Sequence, residues 1–411
     1  MNRVTRTGFI NPLAWRVAAD RAPAGPQPTT PIVRCGEDQR GGSRQDPPPE
    51  GIDETTCSHK PLATDTVERI LIVLPNWFGE TLFATPQLAT LRRARPQARI
   101  SVMGVERCRD VLAHHPHIEE FVLYDEEGRH RRLRDKLAVV SALRAKRFDA
   151  VIILRRSLSR TLLLAAAGIP RRIGFANAKS GWLLTDRVPM PASGHKAHRY
   201  LALLVPLGID DPAPGRCEYY LSDEERAWAG AWLREHAIDP ARPLVILHPG
   251  ANWAHKRWPA ERFGQLADRL AQRGASVVVS GGPDDVRLIT AVLGAMSKPP
   301  IVLAGQTTLR QLAACLERAS LVITNDTGPA HLAAALGRPL IALFGPTLPN
   351  YTGPLGDPDK TVVVHHRDCC PQLPCLNPEH PSHLGMSTIS VDEVADACDR
   401  ILGEARGVSN N

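Results

Sequence analysis

The sequence predicts an α/β protein made of two doubly wound parallel sheets facing each other across a ligand crevice. Three observations carry that prediction. Short runs of aliphatic and β-branched residues recur along the chain, continuous rather than alternating, as in strands covered by helices on both faces. Helix-length segments with their own start and stop signals separate them. The runs also fall into two series that differ in charge.

The first series consists of Ile70–Leu74, Ile100–Met103, Phe121–Tyr124, Ala150–Leu154 and Arg172–Phe175. The second consists of Leu244–Leu247, Ser276–Ser280, Ile301–Ala304, Leu321–Thr324, Leu340–Phe344 and Val362–Val364. Between them, Pro259 is placed to begin a helix that puts Phe263, Leu266 and Leu270 on one face, and Gly274 to end it. Thr308 is placed to cap a helix burying Leu309, Leu312, Ala313 and Leu316. Ser222 with Glu225, and Ser390 with Glu393, have the spacing of capping boxes. The first box opens a helix to about Ala237, and the second a C-terminal helix to about Leu402. The expected organisation is an extension over residues 1–66, a first domain over 67–215, a second over 216–389 and a terminal helix over 390–403. The extension holds nine prolines and almost no apolar period, so it is expected to be disordered or an overlong gene start.

Charge follows the same division. Residues 67–215 carry 24 basic and 14 acidic side chains, a net of +10, whereas residues 216–411 carry 18 and 21, a net of −3. A basic first domain suits nucleic acid, an anionic membrane surface or an acidic substrate. No aromatic stacking platform or recognition-helix pattern accompanies the charge, so nucleic acid is not expected. No apolar run approaches the ~18 residues of a membrane span. Nine scattered cysteines, an odd number, point to a reducing cytosol.

Two segments carry candidate chemistry in the second series. Leu321–Thr324 runs into Asn325-Asp326-Thr327-Gly328-Pro329-Ala330-His331, which sets an acid, a hydroxyl and a glycine on the first turn of a helix. A helix start offers unpaired N–H groups and partial positive charge, a natural seat for phosphate. His248-Pro249-Gly250 through Asn252 to Lys256-Arg257-Trp258-Pro259 repeats the arrangement after another strand, with a lysine added. Two such sites suggest a diphosphate ligand, although Asp326 and Thr327 could equally cap their helix and His331 could be a buried structural histidine. Asp285, in Gly281-Gly282-Pro283-Asp284-Asp285, suits a ribose or simply a turn. In the first series, Leu74-Pro75-Asn76-Trp77-Phe78-Gly79-Glu80 puts Glu80 in the first turn of a helix beside the crevice. It is either a first-turn acid favoured by the dipole or a general base. Cys369, Cys370 and Cys375, near His365, His366, His380 and His383, lack the paired spacing of a zinc knuckle and are expected to be free thiols, so no metal or cofactor is expected.

Together these segments resemble the ADP-heptose:lipopolysaccharide heptosyltransferases, glycosyltransferase family nine, over about residues 67–403. The resemblance rests on Ile70-Leu71-Ile72-Val73 with Pro75-Asn76-Trp77 and Gly79, Arg172-Ile173-Gly174-Phe175, His248-Pro249-Gly250 with Lys256-Arg257-Trp258-Pro259, Gly281-Gly282-Pro283, Asn325-Asp326-Thr327-Gly328 with His331, and Phe344-Gly345-Pro346-Thr347. It implies a GT-B fold and inverting, metal-independent transfer of heptose from ADP-heptose to the lipopolysaccharide inner core. It implies Lys256 on the diphosphate with Asn252 nearby, Asp285 near the ribose and Asp326 on sugar hydroxyls. Thr327, Gly328 and His331 then line the phosphate–sugar junction, with Glu80 as base where the family usually has aspartate. The anionic, lipid-linked acceptor is expected to meet Arg155 and Arg156, and also the run Arg129-His130-Arg131-Arg132-Leu133-Arg134. A cytoplasmic monomer peripheral to the inner membrane surface is the expected state. The alternatives are a transferase of the same fold with another sugar or acceptor, and a nucleotide-sugar-binding protein with weak or no transfer.

Overall fold

Among the described residues twelve strands form two six-stranded sheets, and every strand pair is parallel. The computed structural model of the chain describes residues 67–210, 215–366 and 384–408, with side chains as far as residue 403. The extension over residues 1–66 and the cysteines Cys369, Cys370 and Cys375 lie outside these residues.

The first sheet has the order β3-β2-β1-β4-β5-β6. Its strands are β1 (Arg69–Val73), β2 (Arg99–Gly104), β3 (Glu120–Leu123), β4 (Ala150–Ile153), β5 (Arg171–Phe175) and β6 (Asp186–Val188). Between and after them lie α1 (Phe78–Leu82), α2 (Thr85–Ala94), α3 (Glu106–Leu112), α4 (Leu133–Lys146), α5 (Leu158–Ala166) and α6 (Lys196–Leu201). The central strand β1 is buried from Ile70 to Val73, as its unbroken aliphatic run requires. Strand β6 is the departure from the sequence pattern. It is a three-residue edge strand, Asp186-Arg187-Val188, with no buried side chain, so it leaves no apolar run to read.

The second sheet has the order β12-β11-β10-β7-β8-β9. Its strands are β7 (Leu244–His248), β8 (Ser276–Val279), β9 (Ile301–Val302), β10 (Leu321–Asn325), β11 (Leu340–Phe344) and β12 (Thr361–His365). Helices α7 (Asp223–Glu235), α8 (Ala260–Gln272), α9 (Val286–Gly294), α10 (Leu309–Glu317), α11 (Gly328–Ala335) and α12 (Pro349–Thr352) precede or connect them. Then α13 (Gly385–Thr388) and α14 (Val391–Val408) end the described chain, α14 running six residues beyond the expected stop. Capping decides where several of these begin. The box of Ser222 and Glu225 opens α7, and Thr308 with Gln311 opens α10 in the same way. Pro259 is the residue before α8 rather than its first, and Phe263, Leu266 and Leu270 are buried beneath that helix.

In both sheets the strand order turns back beside a central strand, β1/β4 in one and β10/β7 in the other. Loops leaving the carboxyl ends of such neighbouring strands diverge and leave a crevice. Val67 to Asn411 forms one compact unit, and a single apolar cluster joins Leu82 and Leu88 of the first lobe to Ala330 and Leu332 of the second. Among the described residues, no helix is long and apolar enough to cross a membrane.

Candidate functional site

The first lobe contributes the loop from β1 to α1. Pro75 to Trp77 cannot pair with a neighbouring strand, and a buried arginine fixes them instead. Arg160, on α5, donates to the Leu74 carbonyl (3.2 Å), to Asn76 Oδ1 (2.7 Å) and to Glu126 Oε1 (3.1 Å). A buried guanidinium is tolerated only when its donors are satisfied in this way. The loop then enters α1 with Glu80 in the first turn, as the sequence predicts. Glu80 does not cap α1. Its carboxylate forms an ion pair with Lys196 at the start of α6. The pair lines a cavity of about 260 Å³ together with Arg155, Arg156, Tyr200 and Tyr351. Burial, and next the negative field of Glu80, push the Tyr200 phenol above its ordinary range, so it stays protonated as a neutral donor.

The second lobe contributes two loops held against each other. Asn325, at the end of β10, accepts from the Trp258 amide (3.1 Å) and donates to the Pro249 carbonyl (2.7 Å). That asparagine therefore stitches the lysine loop to the neighbouring strand. Trp258 is the loop's anchor, fully buried with its indole N–H on the Ile389 carbonyl at 2.9 Å. Arg257 is spent on the loop itself, donating twice to the Ala251 carbonyl (2.9 and 2.7 Å). Lys256 is thereby aimed back at β10, where its ammonium lies 2.5 Å from Asp326 Oδ2 and over the ring of Trp253. Thr347, after β11, donates to the same carboxylate oxygen at 2.6 Å. The capping alternative for this motif is thus not what its side chains do. Thr327 occupies the position before α11 without a side-chain cap bond, and Asp326 is turned to Lys256 and Thr347.

The two lobes meet at these helix starts, α1 against α11. Neither helix has room for a β-carbon at the seam. One on Gly328 would lie 2.1 Å from the Phe78 ring, and one on Gly79 would lie 2.9 Å from His331 Cδ2. Gly79 of the first lobe therefore meets His331 of the second, and Glu80 follows it in α1 with its carboxylate turned to Lys196. His331 is buried with its ring edge on Phe83, and its Nδ1 has no hydrogen-bond partner among the described residues. Burial lowers its pKa to about 4, against a smaller upward pull from Asp326, so the imidazole is neutral at neutral pH. His248, at the end of β7, is likewise lowered to about 4 by burial and bonds Ser280 at 3.0 Å.

The predicted residues divide accordingly. Lys256, Asp326, Thr327, Gly328 and His331 come together at the second lobe's helix start, against which the helix that carries Glu80 packs. Arg155 and Arg156 reach the cavity beside Glu80. Asn252 is exposed on the lysine loop. Asp285 accepts from the Gly282 amide at 2.9 Å and faces Arg257 at 3.9 Å, which makes it first of all the lock of its own turn. His365 and His366 are held locally, the former on the Gly345 carbonyl and the latter on Thr388 and Glu393. Sequence reasoning missed Lys196 and Tyr351, and it gave Thr347 no role. His195 and Arg199 were missed too. They reach the second lobe at the Gly353 carbonyl (2.9 Å) and the Tyr351 ring (4.6 Å). No spacing rule links positions 80 and 196, and only the fold does.

A family model described as "Glycosyltransferase family 9 (heptosyltransferase)" matches residues 136–383. The chain is 31% identical over 307 residues to the "Lipopolysaccharide heptosyltransferase 2" of Escherichia coli (strain K12), covering 72% of this chain and 87% of that one. In structure it is similar to the glycosyl transferase family 9 from Veillonella parvula DSM 2008. The TM-score is 0.73 at 28% identity, with 82% of this chain and 97% of that one covered. For the E. coli ADP-heptose lps heptosyltransferase II the TM-score is 0.69 at 27% identity, with 82% and 99% covered.

Proposed function

Because the chain belongs to glycosyltransferase family 9, the heptosyltransferases, and has the family's GT-B fold, we propose that it transfers heptose from ADP-heptose to the inner core of lipopolysaccharide, with inversion and without a metal ion. The first lobe, residues 67–215, holds the lipid-linked acceptor, and the second, residues 216–389, holds the nucleotide sugar. The work is done at the inner face of the cytoplasmic membrane by a monomer, with no nucleic acid involved.

One observation supports this reading above the rest. The helix α1, which carries Glu80, packs on α11, which carries the neutral buried His331, and the Lys256–Asp326 pair lies at the start of α11. Glycosyl transfer passes through an oxocarbenium-like state, with positive charge on the sugar and negative charge on the departing ADP. Lys256 and the start of α11 supply fixed positive charge for the diphosphate, the task a metal ion performs elsewhere. Asn252 flanks the diphosphate, and Asp285, where its own turn leaves it free, approaches the ribose. Asp326 accepts from sugar hydroxyls, and Thr327, Gly328 and His331 line the junction. Glu80 takes the proton of the acceptor hydroxyl from the face opposite the leaving group, which inverts the anomeric centre. Arg155 and Arg156 meet acceptor anions.

The ion pair with Lys196 is what favours a second reading, a binder of nucleotide sugars with weak or no transfer, since it engages the carboxylate that would have to reach the acceptor hydroxyl. Turnover of ADP-heptose on an inner-core acceptor separates the two. Glu80→Gln is expected to lower kcat by about 10²–10⁴-fold with donor binding retained. Equal turnover by the variant would remove Glu80 from the chemistry. Product stereochemistry read by NMR tests inversion, assays with and without chelator test the metal, and a panel of ADP-, UDP- and GDP-linked sugars tests the donor.

A further inference from the structure

We propose that the outer faces of α4 and α5, with the turn at Trp182, form a docking surface for an anionic lipid bilayer. This rests on the transferase reading only for its purpose, since a lipid-linked acceptor must be reached at a membrane; the surface itself stands on its own observations.

Two neighbouring helices each leave a leucine pair in solvent. In α4 these are Leu133 and Leu137, 72% and 58% exposed, and in α5 they are Leu158 and Leu162, 46% and 53% exposed. Each pair is spaced i, i+4 and so forms one stripe along its helix. Both helices leave the carboxyl ends of parallel strands and lie side by side. Inside, Val139 and Leu143 of α4 share a core with Leu163 and Leu164 of α5, and Arg144 donates to the Ala166 carbonyl at 2.6 Å near their far ends. The outward leucines of both helices are therefore near the same, amino-terminal ends. Trp182, 66% exposed, sits in the short helical turn Gly181–Leu183 that packs against α5. A lone exposed leucine is ordinary, but four leucines and a tryptophan on three touching elements are a patch.

Charge identifies the occupant. Arg129, Arg131 and Arg132, in the loop leading into α4, are exposed and form no ion pair among the described residues, whereas Arg134 pairs with Asp135. Arg155 and Arg156 lie just before Ser157, the cap of α5. The acids of the same region are largely committed. Glu126 is held by Arg160 and Ser159, and Asp125 accepts from the Glu127 and Gly128 amides, which leaves Glu127. Leucines and a tryptophan rimmed by unpaired arginines match the acyl–headgroup boundary of an anionic bilayer, where apolar side chains enter and cations meet lipid phosphates. The net charge of +10 over residues 67–215 acts in the same direction.

Position supplies the use. Arg155 and Arg156 belong both to this face and to the lining of the cavity that holds Glu80, so a lobe seated on the bilayer presents the cavity mouth at headgroup level.

The test is co-sedimentation of the full chain with phosphatidylethanolamine vesicles containing about one third phosphatidylglycerol, compared with phosphatidylcholine alone. The protein should pellet with the anionic vesicles and less so as salt is raised. The triple variant Leu137→Ser, Leu158→Ser, Leu162→Ser should lose about tenfold in vesicle affinity, with its thermal melt and its turnover of a soluble, delipidated acceptor unchanged. Wild-type protein remaining in the supernatant, or the variant pelleting as well as wild type, would overturn the proposal. A wild-type dimer in solution that the variant makes monomeric would overturn it in favour of a second copy of the chain. Vesicle binding without turnover of the soluble acceptor would keep the docking surface and reject the transferase reading.

Discussion

Lys196 is the residue on which the chemistry of Glu80 turns. Its ammonium holds the carboxylate in place and remains beside it when a proton arrives. Lys196→Met is expected to lower kcat by about 10–100-fold with little change in donor KM, because it misplaces the base without touching the diphosphate site. Partial recovery in Lys196→Arg would mark an electrostatic role, and an unchanged kcat in both variants would reduce the pair to a structural contact. Lys256 is expected to behave in the opposite manner. Lys256→Ala removes the cation beside Asp326 and should raise the Kd for ADP-heptose by about 10-fold or more, measurable by calorimetry, while the fold is kept. Unchanged affinity would remove Lys256 from the diphosphate site. The two lysines also differ in how far sequence revealed them. Lys256 follows a strand and a His-Pro-Gly turn, which is a local pattern. Lys196 opens a six-residue helix after a polar stretch, and its partner is 116 positions away.

At the scale of elements, the seam between α1 and α11 depends on two residues without side chains. Gly328→Ala would put a methyl 2.1 Å from the Phe78 ring, closer than any contact allows, so the lobes must separate or the ring must turn. A cost of about 1–3 kcal/mol in urea melts is expected, with turnover lost before the fold is lost. Wild-type stability and rate in that variant would contradict the close approach. A second junction joins the lobes elsewhere. Arg310, at the start of α10, donates to Glu225 through two nitrogens, one at 2.6 Å, and to the Asp110 carbonyl of the first lobe at 3.0 Å. Burial pushes the Glu225 carboxyl up, but bonds from Arg310 and the Ser222 amide outweigh it and hold the pKa at about 2. The Ser222 capping box was legible because its two members lie three positions apart. The bridge from Arg310 was not, since its partners lie 85 and 200 positions away.

The whole molecule should be acid-labile through its buried histidines. Burial lowers His248 and His331 from 6.5 to about 4, and lowers His115 to about 3 with a further push from His117. Each imidazole binds its proton less readily in the folded chain than in the unfolded one. Folding stability is therefore complete above pH 6.5 and falls as the pH drops toward 4, by about 2 kcal/mol per imidazole at pH 5. The urea midpoint should decline between pH 7 and pH 5, less steeply in His115→Phe than in wild type. A midpoint that stays flat over that interval would show that these rings are not held neutral by the fold.

The strands and their two-series grouping, the capped helices and the phosphate-seating motifs could all be read along the chain. Each is set by neighbours a few positions apart: a run of aliphatic residues, a Ser-x-x-Glu box, or an Asp-Thr-Gly at the end of a strand. The family's fold and activity class came within reach because such local patterns recur in order. What only the folded chain decided is who meets whom. It brought Lys196 to Glu80 and Thr347 to Asp326, and it turned Asn325 into the stitch between two loops. It also pressed α1 onto α11 through a pair of glycines. These contacts join positions separated along the chain, and the strand order within each sheet, with the packing of α1 on α11, makes them neighbours.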